Sequence, residues 1–344
     1  MSLSIKIKNL LIGKDFTPFI IPEIGINHEG NFDKAKQMIK DAFDANAECV
    51  KFQCHVIDDE MIKNNVIPGN STESIWDIMN RCSLTEEEEI KLKEYVEDLG
   101  MIYLSTPFSR NAADRLNKMN VDAFKIGSGE CNNYPLLKHI ASFGKPIILS
   151  TGMNDIRSIS IAVKILQKSK TDFALLHTTS MYPTPYDKVR LGAISDLSKY
   201  FPETVIGLSD HSIGNYTCFA AIPLGASILE KHFTSDKNWP GPDIPLSVDP
   251  LELKNLIQGS NAIYQSLNGK KNILKEEKPT IDFAYACVVT IKQIKKGDVL
   301  SKENIWVKRP GTGQILAKDY DNVLNKVTKS DIPKDSQLEW NMFE

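Results

Sequence analysis

Two histidines occupy matching places in two short stretches of this chain: His211 in Gly207-Leu208-Ser209-Asp210-His211-Ser212, and His232 in Leu229-Glu230-Lys231-His232-Phe233. Each stretch follows a short apolar run, Val205-Ile206 or Ala226-Ser227-Ile228, and so reads as the polar C-terminal end of a buried strand. Between them Tyr216 to Gly225 is an apolar, helix-length segment ending in Gly. Imidazoles at two neighbouring strand ends can hold a divalent cation. Two protein ligands leave positions for substrate oxygen and water, which suits Mn²⁺ or Mg²⁺ better than structural Zn²⁺. His177 ends another strand and is a third candidate neighbour of such a cation. His28 reads as a turn residue, and His55 and His139 as surface or packing residues.

Further strand ends carry Glu23, Lys51, Gln53, Thr106, Lys125, Ser128, Ser150 and Ser209. Two ammonium groups with several hydroxyls form a cradle for phosphate or carboxylate. Glu23, among these cations, is the candidate general acid/base, or else the ion-pair partner of one lysine. Lys51 or Lys125 as a free amine would instead form a Schiff base with a carbonyl substrate.

The elements that must position these groups repeat. A hairpin over residues 5–16 precedes a first buried strand at 18–23. Strands then follow at 49–53, 101–106, 123–126, 146–149, 173–176, 205–206 and 226–228. Helical spacing of Ala35, Met38, Ile39 and Ala42 predicts a helix over 32–45, and further helices fall at 85–99, 111–119, 134–143, 155–168, 215–224 and 250–268. Ser83 reads as the cap of the second, with Glu86 to Glu89 in its first turn. Residues 55–75 read as a long polar connection. Eight strand–helix units predict an α/β fold of the (β/α)8 TIM-barrel type, with the polar strand ends on its C-terminal face. A doubly wound open sheet is the alternative, although no GxGxxG motif follows the first strand. The barrel takes residues 1–270. A charged linker follows at 271–282, then a small, mainly β domain at 283–344.

Bulk properties narrow the function classes. The 344 residues carry a net charge of −3, which gives no footprint for nucleic acid or an anionic membrane. No apolar run approaches the roughly 20 residues of a membrane span, and Met1 to Lys8 alternates like a strand and lacks the continuous apolar core of a signal peptide. Six cysteines without a CxxC motif read as reduced, buried thiols of a cytoplasmic protein.

The motifs Glu23-Ile24-Gly25-Ile26-Asn27-His28, Lys51-Phe52-Gln53, Ser105-Thr106-Pro107-Phe108, Lys125-Ile126-Gly127-Ser128-Gly129-Glu130, Ser150-Thr151-Gly152-Met153, Tyr182-Pro183-Thr184-Pro185, Gly207 to His211, Glu230 to Phe233 and Gly241-Pro242-Asp243 together resemble the bacterial sialic acid (N-acetylneuraminate) synthases. The segment with Ile294 to Asp298 and Arg309-Pro310-Gly311 resembles their antifreeze-like (SAF, β-clip) domain. The resemblance implies condensation of phosphoenolpyruvate (PEP) with an N-acetylmannosamine-type sugar, releasing phosphate, in a domain-swapped homodimer. By that resemblance Lys51, Thr106, Lys125, Ser128, Ser150 and Ser209 would hold PEP, and His211 and His232 would hold Mn²⁺. Gln53, Asn70, Ser180, Tyr182 and Asp243 would contact the sugar, and Arg309 would reach it from the partner chain. Ser180 stands where sialic acid synthases commonly have Asn, so synthases for legionaminic or pseudaminic acid, which use 6-deoxy diacetamido sugars, belong to the same expectation. A Schiff-base aldolase and a non-catalytic binding protein are the competing classes.

Overall fold

A computed structural model describes residues 3–344 of the chain; the first two positions of the alternating N-terminus, Met1 and Ser2, lie outside the described residues. Strands β1 (Ser4–Ile7) and β2 (Leu10–Gly13) form an antiparallel hairpin. Eight parallel strands follow: β3 (Phe19–Gly25), β4 (Cys49–Cys54), β5 (Ile102–Pro107), β6 (Phe124–Ile126), β7 (Ile147–Ser150), β8 (Phe173–Thr178), β9 (Val205–Asp210) and β10 (Ile228–His232). Their order in the sheet is β5-β4-β3-β10-β9-β8-β7-β6, and β5 lies beside β6, so the sheet curls into a TIM-type barrel.

Side chains alternate across each strand, and the alternation sorts two cores. Phe19, Ile21, Cys49, Ile102, Leu104, Ile148, Ala174, Leu176, Val205 and Ile228 fill the barrel interior, joined by Ile5, Ile7 and Ile12 of the hairpin. The intervening residues, among them Ile20, Val50, Tyr103, Phe124, Leu175 and Leu229, pack outward against the helices. Gly207 of β9 lies among the inward-facing positions, where a Cβ would sit 2.5 Å from a Leu176 methyl and 2.5 Å from the Ile228 carbonyl oxygen. Only glycine fits that close approach.

Local chemistry sets the helix ends. The helix Glu86–Asp98 starts at Thr85, not Ser83: the Thr85 hydroxyl accepts from the Glu88 amide, and the Glu88 carboxylate accepts from the Thr85 amide. Ser83 instead donates to the Met79 carbonyl, at the end of the preceding helix Ile75–Cys82. That helix, capped by Ser74, begins where the expected polar connection ends, and within the connection only a short helix at Ile57–Glu60 departs from the expectation. Helices Tyr186–Val189 and Gly192–Tyr200 also lie outside the sequence reading.

The chain divides into two compact units, Met1–Asn268 and Gly269–Glu344. The segment read as a linker, 271–282, contains a 3₁₀ turn at Lys275–Glu277 and most of the helix Lys278–Ala284. The second unit pairs β11 (Cys287–Thr290) with β12 (Ile305–Lys308) and adds isolated bridges such as Ile294 to Ile332 and Val299 to Val327. Its own core holds Val288, Ile294, Leu300, Ile305, Ile315, Val323, Ile332, Leu338 and Phe343. All six cysteines are buried and unpaired. Among the described residues no helix is long and apolar enough to cross a membrane.

Candidate active site at the C-terminal face of the barrel

Continuing the inward alternation one step beyond the apolar layer brings Glu23, Lys51, Gln53, Thr106, Lys125, Ser150, Thr178, Ser209, Glu230 and His232 to one mouth. They line a cavity of about 330 Å³, with Ser128, Glu130, Ser180, Tyr182 and His211 from the loops above. Lys51 and Lys125 are both almost wholly buried. The Lys51 ammonium lies 2.5 Å from Glu23 Oε2, 3.3 Å from Thr106 Oγ1 and 3.7 Å from Glu230 Oε2. Lys125 Nζ lies 2.8 Å from Ser150 Oγ, 3.2 Å from the Ile126 carbonyl and 3.4 Å from Glu230 Oε1. Lys125 has three acceptors around one nitrogen, enough for the three donors of an ammonium, while burial, ahead of the opposing charge of Glu230, holds its pKa below the ordinary value.

Glu230 is the residue the sequence reading did not assign. It sits between both lysines and accepts from Ser209 Oγ at 2.8 Å. Burial favours its neutral form, but Lys125 and Lys51 outweigh burial and hold its carboxyl below the ordinary value. Glu23 goes the other way. Burial raises its carboxyl, Lys51 lowers it, and the nearby Glu230 raises it again, for a net rise. Glu130 is pushed up to about 7, chiefly by burial. Glu230 thus carries the firm negative charge between the two lysines, while Glu23 and Glu130 are poised to take protons.

The two histidines stand together, with ring centroids 5.4 Å apart. His211 Nδ1–H donates to the Thr179 carbonyl at 2.9 Å, which leaves Nε2 with its lone pair. His232 Nδ1 is buried without a hydrogen-bond partner, 3.7 Å from Asp243 Oδ2. Burial lowers the affinity of both imidazoles for protons, and for His232 the charges of its neighbours lower it further. Two neutral imidazoles, one with an orphaned nitrogen, fit a divalent cation. Among the described residues no set of three or more His, Cys, Asp or Glu converges as a complete cage. His177 does not join the pair. It lies on the outward side of β8, between the inward Leu176 and Thr178, and its Nε2 bonds the Val189 carbonyl at 2.7 Å.

A second cavity of about 360 Å³ shares Gln53, Phe108, Tyr182 and His232 with the first and is lined further by Ile26, Pro68, Asn70, Ile75, Ile78, Met79 and Asp243. Asn70 donates to the Pro242 carbonyl at 3.2 Å and to Asp243 Oδ1 at 3.4 Å. Asp243 is pushed up to about 7, first by burial and then by Glu23. Tyr182 lies against His211 with ring centroids 4.2 Å apart and tilted by 33°, and stands edge-on to His232. Ser180 faces the first cavity with a buried hydroxyl that has no partner, and Ser128 accepts from the Gly152 amide at 3.0 Å. The side-chain amide of Asn27 donates to the Phe233 carbonyl at 2.8 Å and to Ser247 Oγ at 2.9 Å, tying the exit of β3 to that of β10. His28 holds the Asn27 turn as expected, accepting from the Gly30 amide at Nδ1. His139 lies at the helix surface against Asp114, but His55 is buried beneath Gln53. Arg309 follows β12 in the C-terminal unit, exposed.

The matches to known proteins follow the same division. A family model described as the NeuB family matches residues 38–272, and one for the SAF domain matches residues 285–344. The chain is 41% identical to an uncharacterized protein of Methanocaldococcus jannaschii, over 98% of this chain and 97% of that one. It is 35% identical to the N,N'-diacetyllegionaminic acid synthase of Legionella pneumophila, over 96% of each. Among solved structures it matches the N-acetylneuraminic acid (sialic acid) synthetase of Leptospira borgpetersenii serovar Hardjo-bovis, determined in complex with citrate. That match has a TM-score of 0.75 at 33% identity and covers 82% of this chain and 96% of that one. By the family match and by these relatives, the chain is an enzyme of the NeuB family with a C-terminal SAF domain.

Proposed function

We propose that this enzyme condenses PEP with N-acetylmannosamine and water to give N-acetylneuraminate and phosphate. The observation that carries the reading is the pair of buried lysines sharing Glu230 beside two neutral histidines, at the wall between a charged cavity and a less polar one.

Lys51 and Lys125, with Thr106, Ser128, Ser150 and Ser209, hold the phosphate and carboxylate of PEP. An incoming anion competes with Glu230 for both ammonium groups. A divalent cation held by His211 and His232, Mn²⁺ or Mg²⁺, would supply Lewis-acid polarisation of the sugar aldehyde. Gln53, Asn70, Ser180, Tyr182 and Asp243 hold the sugar so that its aldehyde carbon faces C3 of PEP. C3 attacks that carbon, the C=O electron pair passes to the aldehyde oxygen, which takes a proton to become a hydroxyl, and positive charge develops at C2. Glu23 accepts a proton from the water that adds at C2, a role suited to a carboxylate beside Lys51 whose affinity for protons burial has raised. The tetrahedral adduct expels phosphate by cleavage of the C2–O bond and leaves the 2-keto acid. Positioning and fixed charge supply most of the acceleration. The active form is a homodimer in which Arg309 of one chain reaches the sugar in the other.

A second acceptor is favoured by a specific feature. Ile26, Pro68, Ile75, Ile78, Met79 and Phe108 make much of the second cavity apolar, which suits a 6-deoxy diacetamido sugar, and the Legionella relative is named for a diacetylated product. PEP labelled with ¹⁸O at the bridge oxygen tests the chemistry with either sugar. The label is expected in the released phosphate; label retained in the keto acid contradicts C–O cleavage.

A further inference from the structure

His55 is a buried packing residue, one of the two expectations for it, and it also makes hydrogen bonds at both ring nitrogens. Its Nε2 lies 3.0 Å from Gln53 Oε1, and its Nδ1 lies 2.7 Å from Glu60 Oε2. Its ring stacks on Phe108 at 4.6 Å and 10°. Gln53 turns its other end to the reacting cluster, with Nε2 donating to Glu23 Oε1 at 3.0 Å. The chain of contacts Glu60–His55–Gln53–Glu23–Lys51 therefore runs unbroken from the short helix Ile57–Glu60 to the anion cradle.

The polarity of that chain follows from its ends. Glu23 Oε1 can be satisfied only by a donor unless the carboxyl is protonated there, so the Gln53 amide nitrogen must face it. The amide oxygen then faces His55, whose Nε2 must carry a hydrogen, while a second proton lies between Nδ1 and the Glu60 carboxyl. Rotating the Gln53 amide by half a turn would set its oxygen against the Glu23 carboxylate and its NH₂ against an N–H. Gln53 also lines both cavities, so its orientation fixes the wall between them.

Resting on the reading above, we propose that His55 is a positioning residue for the condensation. Its Nε2–H locks the Gln53 amide so that one N–H is presented to Glu23, which leaves Glu23 Oε2 to Lys51, and Glu60 and Phe108 hold the ring in place. His55 lines neither cavity: its hydrogen bond toward the site runs through Gln53, and the Phe108 ring it stacks on lines both cavities.

The test is a double-mutant cycle with sugar-dependent phosphate release from PEP as the readout. His55→Phe keeps the stacked ring but removes the donor. It is expected to lower kcat about tenfold, the size of one lost hydrogen bond of about 1.4 kcal/mol, with little change in KM for PEP. In a Gln53→Ala background the same substitution is expected to cost less than twofold, because the group it acts through is gone. His55→Gln, whose amide can still donate, is expected to recover most of the loss. Equal fold losses in both backgrounds, or an unchanged kcat for His55→Phe, overturn the proposal.

A readout independent of activity covers variants that fold poorly. In the ¹⁵N-histidine spectrum of the wild-type protein, His55 is expected to be protonated at Nε2. A ring unprotonated at Nε2 overturns the proposal. Absence of turnover in the wild type would instead remove the condensation reading and leave this spectrum to decide the hydrogen-bond chain.

Discussion

Glu230 and Lys231 are neighbours on β10 and face opposite sides of the barrel wall. Glu230 points inward between Lys51 and Lys125. Lys231 points outward, where its ammonium lies 2.6 Å from Asp210 Oδ2 and also reaches the Ser212 carbonyl. Two adjacent charges thus serve different purposes, and substitutions separate them.

Lys231→Met leaves Asp210 buried beside Ser212 and Thr217 without its cation. Breaking a buried pair by removing one partner costs about 3–5 kcal/mol. Urea unfolding at pH 7 is expected to show a loss of that size, while kcat at low temperature stays near wild type. A large fall in kcat with unchanged stability would place Lys231 in the reaction instead.

Glu230→Gln should act the other way round. The two lysines lose the carboxylate they share, and their spacing is no longer set. Turnover with PEP is expected to drop at least tenfold, against a modest change in unfolding midpoint. Full activity would show that the lysines need no internal anion to align them.

Cation binding is tested without catalysis. Titration of the chelator-treated protein with Mn²⁺, followed by calorimetry, is expected to show one site per chain. His232→Ala should abolish it, because it removes the orphaned Nδ1 donor. Unaltered Mn²⁺ binding in that variant contradicts the assignment of the pair.

Acid sensitivity follows from His28. Burial first, and then His55, lowers its pKa from 6.5 to about 4. The unfolded chain therefore takes up a proton near pH 6.5 that the folded chain resists until about pH 4. The stability this group contributes is complete above pH 6.5 and is lost as pH falls toward 4, by on the order of 3 kcal/mol. Urea midpoints at pH 7 and pH 5 should diverge in the wild type and converge in His28→Gln. A pH dependence unchanged in the variant contradicts the assignment.

Much of the barrel and its mouth was legible in the sequence because each strand is an apolar run with a polar end, and the inward positions step by two. Lys51, Lys125, Ser209 and His232 fall on that register directly. Glu230 was harder to place. In Glu230-Lys231-His232 three polar residues stand in a row, and only pairing with β3 and β9 fixes which face inward. The same register turns His177 outward. In the sequence His55 reads only as a surface or packing residue because its partner Glu60 is placed by the turn out of β4 and the helix Ile57–Glu60, which a polar segment does not announce. The helix Ile75–Cys82 was hidden for the same reason: its apolar face, Ile78 and Cys82, packs on Ile26 and not on the main core.

The most direct measurement is phosphate release from PEP with Mn²⁺ and N-acetylmannosamine, set beside 2,4-diacetamido-2,4,6-trideoxymannose and a no-sugar control, each with and without EDTA. Phosphate release that requires a sugar and is lost with EDTA is the predicted result, and the sugar that supports it fixes the product. No release above the no-sugar control with either acceptor would contradict the PEP-dependent condensation.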